Sequence, residues 1–311
     1  MSARLISVVT PCFNEEGNVR EMHEAIRQIF ASLPQYRYEH LFIDNASRDS
    51  TPRVLRELAA ADPHVKVILN ARNFGQVRSG YYALLQTSGD AVIALACDFQ
   101  DPPELIPEFL RRWESGSKVV LGVKEASAES GLLWALRGRY YRLLARIADI
   151  QVVKQSTGFG CFDRTVIEGL RRIDDPYPYF RGLLAEIGHD PSLVPFHQPA
   201  RKKGISSQNF YALYDLAFLG IVNHSKVPLR LATMTGFALA ALSLLVAFAY
   251  LIYKLLFWNQ FTVGIAPILI GFFFLTSVQL FFIGIVGEYI GSIYTQVRHH
   301  PHVFEKERLN F

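Results

Sequence analysis

Cysteine is scarce in this chain. Cys12, Cys97 and Cys161 are the only three in 311 residues, and neither their spacing nor their odd number fits a disulfide framework or a thiolate metal site. They read as free thiols in a reducing compartment. A strong charge of one sign is also lacking. The formal net charge is +4, with no dense basic face, which excludes a nucleic-acid binder and suits a protein resting on anionic lipid headgroups. Internal repeats and low-complexity tracts are missing. The opening MSARLISVVTP holds no apolar run long enough for a secretory leader, so the N-terminal part is expected to stay in the cytoplasm.

What is present in excess is apolar: half of the residues, with the surplus near the C-terminal end. Residues 231–253 and 263–287 carry no charge, and each exceeds the roughly 20 residues needed to cross a bilayer core. Arg230 precedes the first stretch, and Arg298, Lys306 and Arg308 follow the second, so the positive-inside bias predicts cytoplasmic flanks for a two-helix hairpin. Trp258 in the link between them suits an interface. Thr276, Ser277 and Gln279 in the second stretch pack either against a second copy or only within the hairpin, so a homo-oligomer is one option.

The first part alternates strand and helix. Short β-rich runs at 5–10, 40–43, 65–69, 91–96 and 119–123 alternate with helical apolar spacing at 18–32, after 49, at 74–86 and at 104–113. Such alternation predicts an α/β domain with a mainly parallel sheet, whose ligands sit beyond the carboxyl ends of the strands. Polar and acidic residues occupy each of those ends: 11–16, 44–49, 72–75 and 98–104. The middle differs. Residues 132–150 mix Leu, Trp and Tyr with arginines at 137, 139, 142 and 146, a pattern for a helix lying in a membrane interface or for an ordinary amphipathic surface helix. Residues 209–223 form a second candidate of that kind. The domain organisation expected is a cytosolic catalytic domain over 1–205, an amphipathic juxtamembrane segment over 206–228, two transmembrane helices within 229–291, and a cytosolic tail over 292–311.

The strand-end motifs appear in a fixed order: Pro11-Cys-Phe-Asn-Glu15, Phe42-Ile-Asp44, Arg72-Asn-Phe-Gly75, and Cys97-Asp98-Phe-Gln100-Asp101-Pro-Pro-Glu104. Ser225-Lys-Val-Pro-Leu-Arg230 then enters the first apolar stretch, and Gly284-Ile-Val-Gly-Glu-Tyr-Ile-Gly291 ends the second. The ordered set resembles the family-2 glycosyltransferases of the GT-A fold. With its tail it is similar to their polyprenyl-phosphate group, which includes dolichyl-phosphate mannose synthase and the bactoprenol glucosyltransferases.

That resemblance implies roles. Pro11, Phe13 and Glu15 would cradle the nucleoside, Asp44 would read the base, and Arg72 and Gly75 would line the nucleotide site, although Gly75 also reads as a simple helix cap. Asp98 and Gln100 would hold Mg²⁺ or Mn²⁺ on the donor diphosphate, since hard oxygen ligands beside a phosphate favour such ions. Asp101 either assists them or caps the helix that follows. Arg201 and Ser206, in an Arg-x-x-Gly-x-Ser pattern, would contact the acceptor phosphate with Lys124; Arg137 and Arg139 would meet that phosphate or merely headgroups. The implied reaction is an inverting transfer of a hexose from a nucleotide sugar to undecaprenyl or a similar polyprenyl phosphate at the inner (plasma) membrane, with UDP-glucose or UDP-N-acetylglucosamine as expected donors.

Three positions depart from the family pattern. Ala96 stands where a first aspartate is common, Asn45 where an aspartate often follows strand two, and Gly158 where another aspartate is usual. Ala96 and Gly158 keep a second reading open, a non-enzymatic membrane scaffold with a degenerate transferase domain. A processive polysaccharide synthase would need more spans and a Gln-x-x-Arg-Trp acceptor motif, and the chain has neither.

Overall fold

The computed structural model describes residues 3–126, 153, 156–173, 175–199, 225–257, 265–298 and 300–311. The elements below are numbered along those residues. The expected interfacial helix over 132–150 and most of the segment 206–228 lie outside them, and with them Arg137, Arg139, Arg201 and Ser206.

Four β/α units open the fold: β1 (Arg4–Cys12), α1 (Val19–Ala31), β2 (Tyr36–Asp44), α2 (Thr51–Ala61), β3 (Val65–Asn70), α3 (Gln76–Leu85), β4 (Ala91–Ala94) and α4 (Ile106–Glu114). These are the elements that apolar periodicity predicts, with shifted ends. Helix α3 begins after Gly75, whose φ of 86° no helix accommodates. Strand β4 stops at Ala94 because the Ala96 N–H turns away to the Asp101 carboxylate at 3.0 Å. The chain continues through β5 (Val119–Ala126), β6 (Ser156–Asp163), α5 (Arg164–Arg172), α6 (Phe180–Ile187) and β7 (Ser192–His197).

Together with β8 (Glu305–Leu309) near the C-terminal end, the strands of the described residues join one sheet in the order β7-β5-β6-β4-β1-β2-β3-β8. The pairs β1/β2, β1/β4, β2/β3 and β5/β7 are parallel, whereas β6 runs antiparallel to both β4 and β5. The fold class is therefore α/β with a mixed, mainly parallel sheet. Alternate side chains serve opposite faces. Ile6, Val8, Phe42 and Val67 meet α1, α2 and α4 on one face through Val19, Met22, Ile26, Leu55 and Phe109. Val9, Leu41, Ile43 and Ile68 meet α3, α5 and α6 on the other through Tyr81, Leu84, Ile167 and Leu183. Burial on both faces explains why the parallel strands read as continuous apolar runs.

Two long helices follow, α7 (Val227–Leu256) and α8 (Ile265–Val297), both long and apolar enough to cross a membrane. They run several residues beyond the charge-free stretches. Tyr289 of α8 donates its hydroxyl to the Ser225 carbonyl at 2.7 Å, and Gln296 Nε2 reaches Asp175 Oδ1 at 2.9 Å. The C-terminal segment then forms a strand that periodicity does not reveal. β8 (Glu305–Leu309) lies antiparallel on β3, pairing Val67 with Leu309 and Leu69 with Glu307. The chain thus leaves the α/β body into α7 and rejoins the same body after α8.

Candidate functional site

The sheet changes winding direction between β1 and β4. From β1 the chain moves outward through β2 to β3, then returns to place β4 on the other side of β1. The diverging connections leave a crevice at the carboxyl ends of these two strands, where doubly wound sheets bind ligands. Pro11 lies near the end of β1 with Phe13 just beyond it, and Asp98 through Asp101 follow β4.

Backbone strain concentrates there. The loop after each of the first four strands contains a residue with positive φ: Asn14 at 57°, Ala46 at 61°, Gly75 at 86° and Phe99 at 61°. Alanine and phenylalanine rarely take this conformation, which costs of order 1–3 kcal/mol each unless the surroundings impose it. The contacts that fix the first of these loops are side-chain bonds to the second. Asn14 Oδ1 accepts from the Arg48 N–H at 2.9 Å, while its own N–H donates to Ser47 Oγ at 2.8 Å, tying the first two loops together. The Glu15 N–H donates to Thr51 Oγ1 at 2.9 Å, and Asn18 Nδ2 donates to the Glu15 carboxylate at 2.5 Å.

Asp44 ends β2 fully buried. Burial pushes its carboxyl above the usual range, and the Ser47 N–H, at 3.0 Å, and the Ser47 hydroxyl pull it partly back. Asn45 explains its own departure from the family pattern. Its Oδ1 accepts from the Phe74 N–H at 2.9 Å and from Asn70 Nδ2 at 3.2 Å, while its Nδ2 donates to Asn73 Oδ1 at 3.0 Å. An amide can both accept and donate here; a carboxylate only accepts. Asn73 Oδ1 also accepts from the Gly75 N–H at 2.8 Å. The family resemblance assigns no role to Asn45 or Asn73, although they lie in the strand-end segments 44–49 and 72–75. Arg72, exposed, lays its guanidinium over the Phe74 ring at 4.0 Å from the centroid. Gly75 does precede α3 at its N-terminus, and its φ is the reason for glycine there, since a Cβ would meet nothing within 4 Å.

The acidic loop is compact. Asp98 Oδ1 accepts from the Gln100 N–H at 3.1 Å. Asp101 makes no cap to the following helix; its carboxylate turns back to the Ala96 N–H. Burial raises the Asp101 carboxyl to about 6, the neighbouring Asp98 pushes the same way, and the Ala96 N–H and Lys124 oppose. Lys124 is buried on β5, with its ammonium 2.7 Å from Gln198 Oε1. Gly158 has its own local cause: φ is 94°, and a Cβ would lie 3.2 Å from the Phe180 ring. An aspartate there would be strained, so its absence follows from backbone geometry.

The donor set at this loop is oxygen only. No group of three His, Cys, Asp or Glu gathers as a metal cage among the described residues. Two carboxylates beside a phosphate-bearing ligand nevertheless suit a hard divalent cation, which commonly takes one or two carboxylates and completes its shell with substrate phosphates. The site thus brings together Pro11, Phe13, Glu15, Asp44, Arg72, Gly75, Asp98, Gln100, Asp101 and Lys124 at one end of the sheet.

Known relatives match over nearly the whole length of the chain. The bactoprenol glucosyl transferase of Shigella phage SfV is 33% identical over 297 residues, covering 95% of this chain and 96% of that protein. The putative glycosyltransferase CsbB of Bacillus subtilis is 31% identical over 307 residues, covering 99% of this chain and 93% of that one. Among solved structures, glucosyl-3-phosphoglycerate synthase from Mycobacterium tuberculosis, in complex with Mn²⁺, uridine diphosphate and phosphoglyceric acid, matches 71% of this chain and 77% of its own. Its identity is 19% and its TM-score 0.46, too distant to bear on the site. The model of glycosyl transferase family 2 matches residues 7–170, a span that runs from β1 into α5 and holds every strand-end loop described above, and the chain belongs to that family.

Proposed function

We propose that this glycosyltransferase moves a hexose, with inversion, from a UDP-sugar to a polyprenyl phosphate at a membrane surface. UDP-glucose and UDP-N-acetylglucosamine are the donors of choice, and undecaprenyl phosphate is the acceptor. The observation that carries the reading is the pairing, in one chain, of an acidic strand-end crevice with two helices of membrane-crossing length. The near-complete coverage of a relative named bactoprenol glucosyl transferase supports it.

The chemistry asks little of a base. A phosphate monoester has its second pKa near ~6, so the acceptor is largely dianionic at neutral pH and is already a nucleophile. The protein must aim it at the anomeric carbon and offset its charge. Lys124 is suited to this, with Arg201, Ser206, Arg137 and Arg139 as further acceptor contacts. On the donor side, Pro11, Phe13 and Glu15 cradle the nucleoside, Asp44 reads the base, and Arg72 and Gly75 line the nucleotide site. Asp98 and Gln100, with Asp101, would hold Mg²⁺ or Mn²⁺, which when bound neutralises charge on the departing nucleoside diphosphate.

The return of β8 to the sheet supports a hairpin whose two ends lie on one side of the membrane. Arg230 and Arg298 at those ends favour the cytoplasmic side of the inner membrane. The scaffold reading loses one of its two supports, because Gly158 has a local structural reason.

Labelled UDP-sugars incubated with the full-length protein, Mg²⁺ and polyprenyl phosphate test the proposal. Label should move to the lipid fraction, and Asp98→Ala should lower transfer by about 10²–10³-fold or more while the protein stays folded and membrane-bound. Failure of every UDP-sugar to label the lipid overturns the donor class. Undiminished transfer by Asp98→Ala overturns the metal assignment.

A further inference from the structure

The C-terminal segment makes two kinds of contact. Along β8 it is anchored to the body: Arg56 forks onto Glu307 at 2.7 Å, Tyr82 donates to Glu305 at 2.8 Å, and Asn310 Nδ2 donates to the carbonyls of Ala59 and Val65 at 2.7 and 2.9 Å. These bonds and the ladder to β3 cover an edge that would otherwise be open, a structural role. The residues just before β8 do something else. The Ala71 N–H donates to the Phe304 carbonyl at 2.8 Å, and Arg78 donates to the Pro301 carbonyl at 2.5 Å. The Phe304 ring lies 6.2 Å from the Phe74 ring, and His302 sits 5.1 Å from Tyr81. Val303 is buried between these contacts. Residues 301–304 therefore lie against the loop that follows β3 and the first turns of α3.

That loop carries Arg72. Its inner side is held by Asn45 through Phe74 and Asn73, and the Arg72 guanidinium rests on the Phe74 ring. The outer side is held by Phe304 and Pro301. A cation aimed at a diphosphate gains from a fixed perch, because ordering a long side chain at the moment of binding costs about 0.5–1.5 kcal/mol. We propose that residues 301–304 form a strap that positions the Arg72–Gly75 loop for the donor diphosphate. The segment that returns from the second membrane helix thereby becomes part of the nucleotide site. The proposal rests on the donor-site reading above.

Phe304 separates positioning from stability, since its ring is 58% exposed and its loss leaves no core cavity. In full-length Phe304→Ala, amide hydrogen exchange at residues 71–75 should speed up at least about threefold, because the ring that backs Phe74 is removed while the backbone bond from Ala71 to the residue-304 carbonyl stays. The KM for the UDP-sugar should rise by at least about threefold, with kcat, the KM for the lipid phosphate and the melting temperature near those of the parent protein. Phe304→Tyr, which keeps the ring, should restore both values. Unchanged exchange at 71–75 overturns the strap. Faster exchange with an unchanged donor KM overturns its role in donor binding, and equal rises in both KM values reduce it to general support. If the parent protein uses no UDP-sugar at all, the donor-site reading fails, while the exchange experiment still decides whether the strap holds the loop.

Discussion

The α/β body and the α7–α8 pair use the same large apolar residues in opposite ways. In the body Phe42, Phe109, Phe159 and Phe162 are enclosed between sheet and helices. In α7 and α8, Phe237, Leu244, Phe272 and Phe281 are largely exposed. A water-soluble domain rarely exposes a continuous apolar surface of that size. The contrast teaches that the two regions use apolar surface differently: the body hides its own between sheet and helices, whereas the two helices leave theirs uncovered, as the membrane surface proposed above requires.

Matched substitutions sharpen or break that contrast. The largest effect is expected at Phe109, which is 0% exposed and packs edge-on against Phe159 at 4.8 Å. Phe109→Ala should cost about 3–5 kcal/mol of body stability, read from denaturant midpoints of the purified protein. The same change at Phe281, 66% exposed on α8, should leave those midpoints in place. Equal losses at the two sites would break the contrast. Next comes Phe281→Lys, which should disfavour insertion of α8 by about 2.5–3.5 kcal/mol if its surroundings are hydrocarbon, seen as protein released from membranes by alkaline wash. Complete retention would place that face against protein instead.

The smallest effect belongs to a buried carboxylate of the body. Burial would raise the Asp163 carboxyl, but bonds from the Thr165 hydroxyl, Trp113 Nε1 at 2.8 Å, the Thr165 N–H and Lys118 outweigh it and hold the group down at about 2. A depressed carboxylate stabilises the fold above its unfolded value near ~4, and that contribution fades as pH falls toward about 2. Asp163→Asn should therefore lower stability at neutral pH and flatten its decline between these limits. A variant whose melting temperature still falls as steeply with acid would show that other carboxylates dominate.

Much of the body was legible because parallel strands covered on both faces read as apolar runs, and because their carboxyl ends carry Asp44, Arg72 and Asp98 in order. What escaped had no periodic signal. β6 contains Gly158 and Gly160, which look like loop residues; Gly160 is required because a Cβ would sit 2.1 Å from the Val120 carbonyl oxygen. β8 reads Glu-Lys-Glu-Arg-Leu, nearly all charged, the composition of an edge strand but equally of a solvated tail. The amide chain through Asn45, Asn70 and Asn73 depends on partners that only the folded sheet brings together. Asp101 turning back to Ala96, instead of forward to the helix, is likewise a tertiary outcome.

The place of β8 in the sheet also has a bearing on biosynthesis. β3 is made early, but its outer edge finds a partner only after α7 and α8 have been translated, since β8 follows both. During that interval the N–H and C=O groups along one side of β3 are open to pairing with any passing strand. Under the hairpin topology proposed above, a chain whose second apolar helix did not cross back would leave β8 on the far side of the bilayer from its sheet. Insertion and completion of the sheet would then be a single event, and a misinserted molecule would carry an unsealed edge.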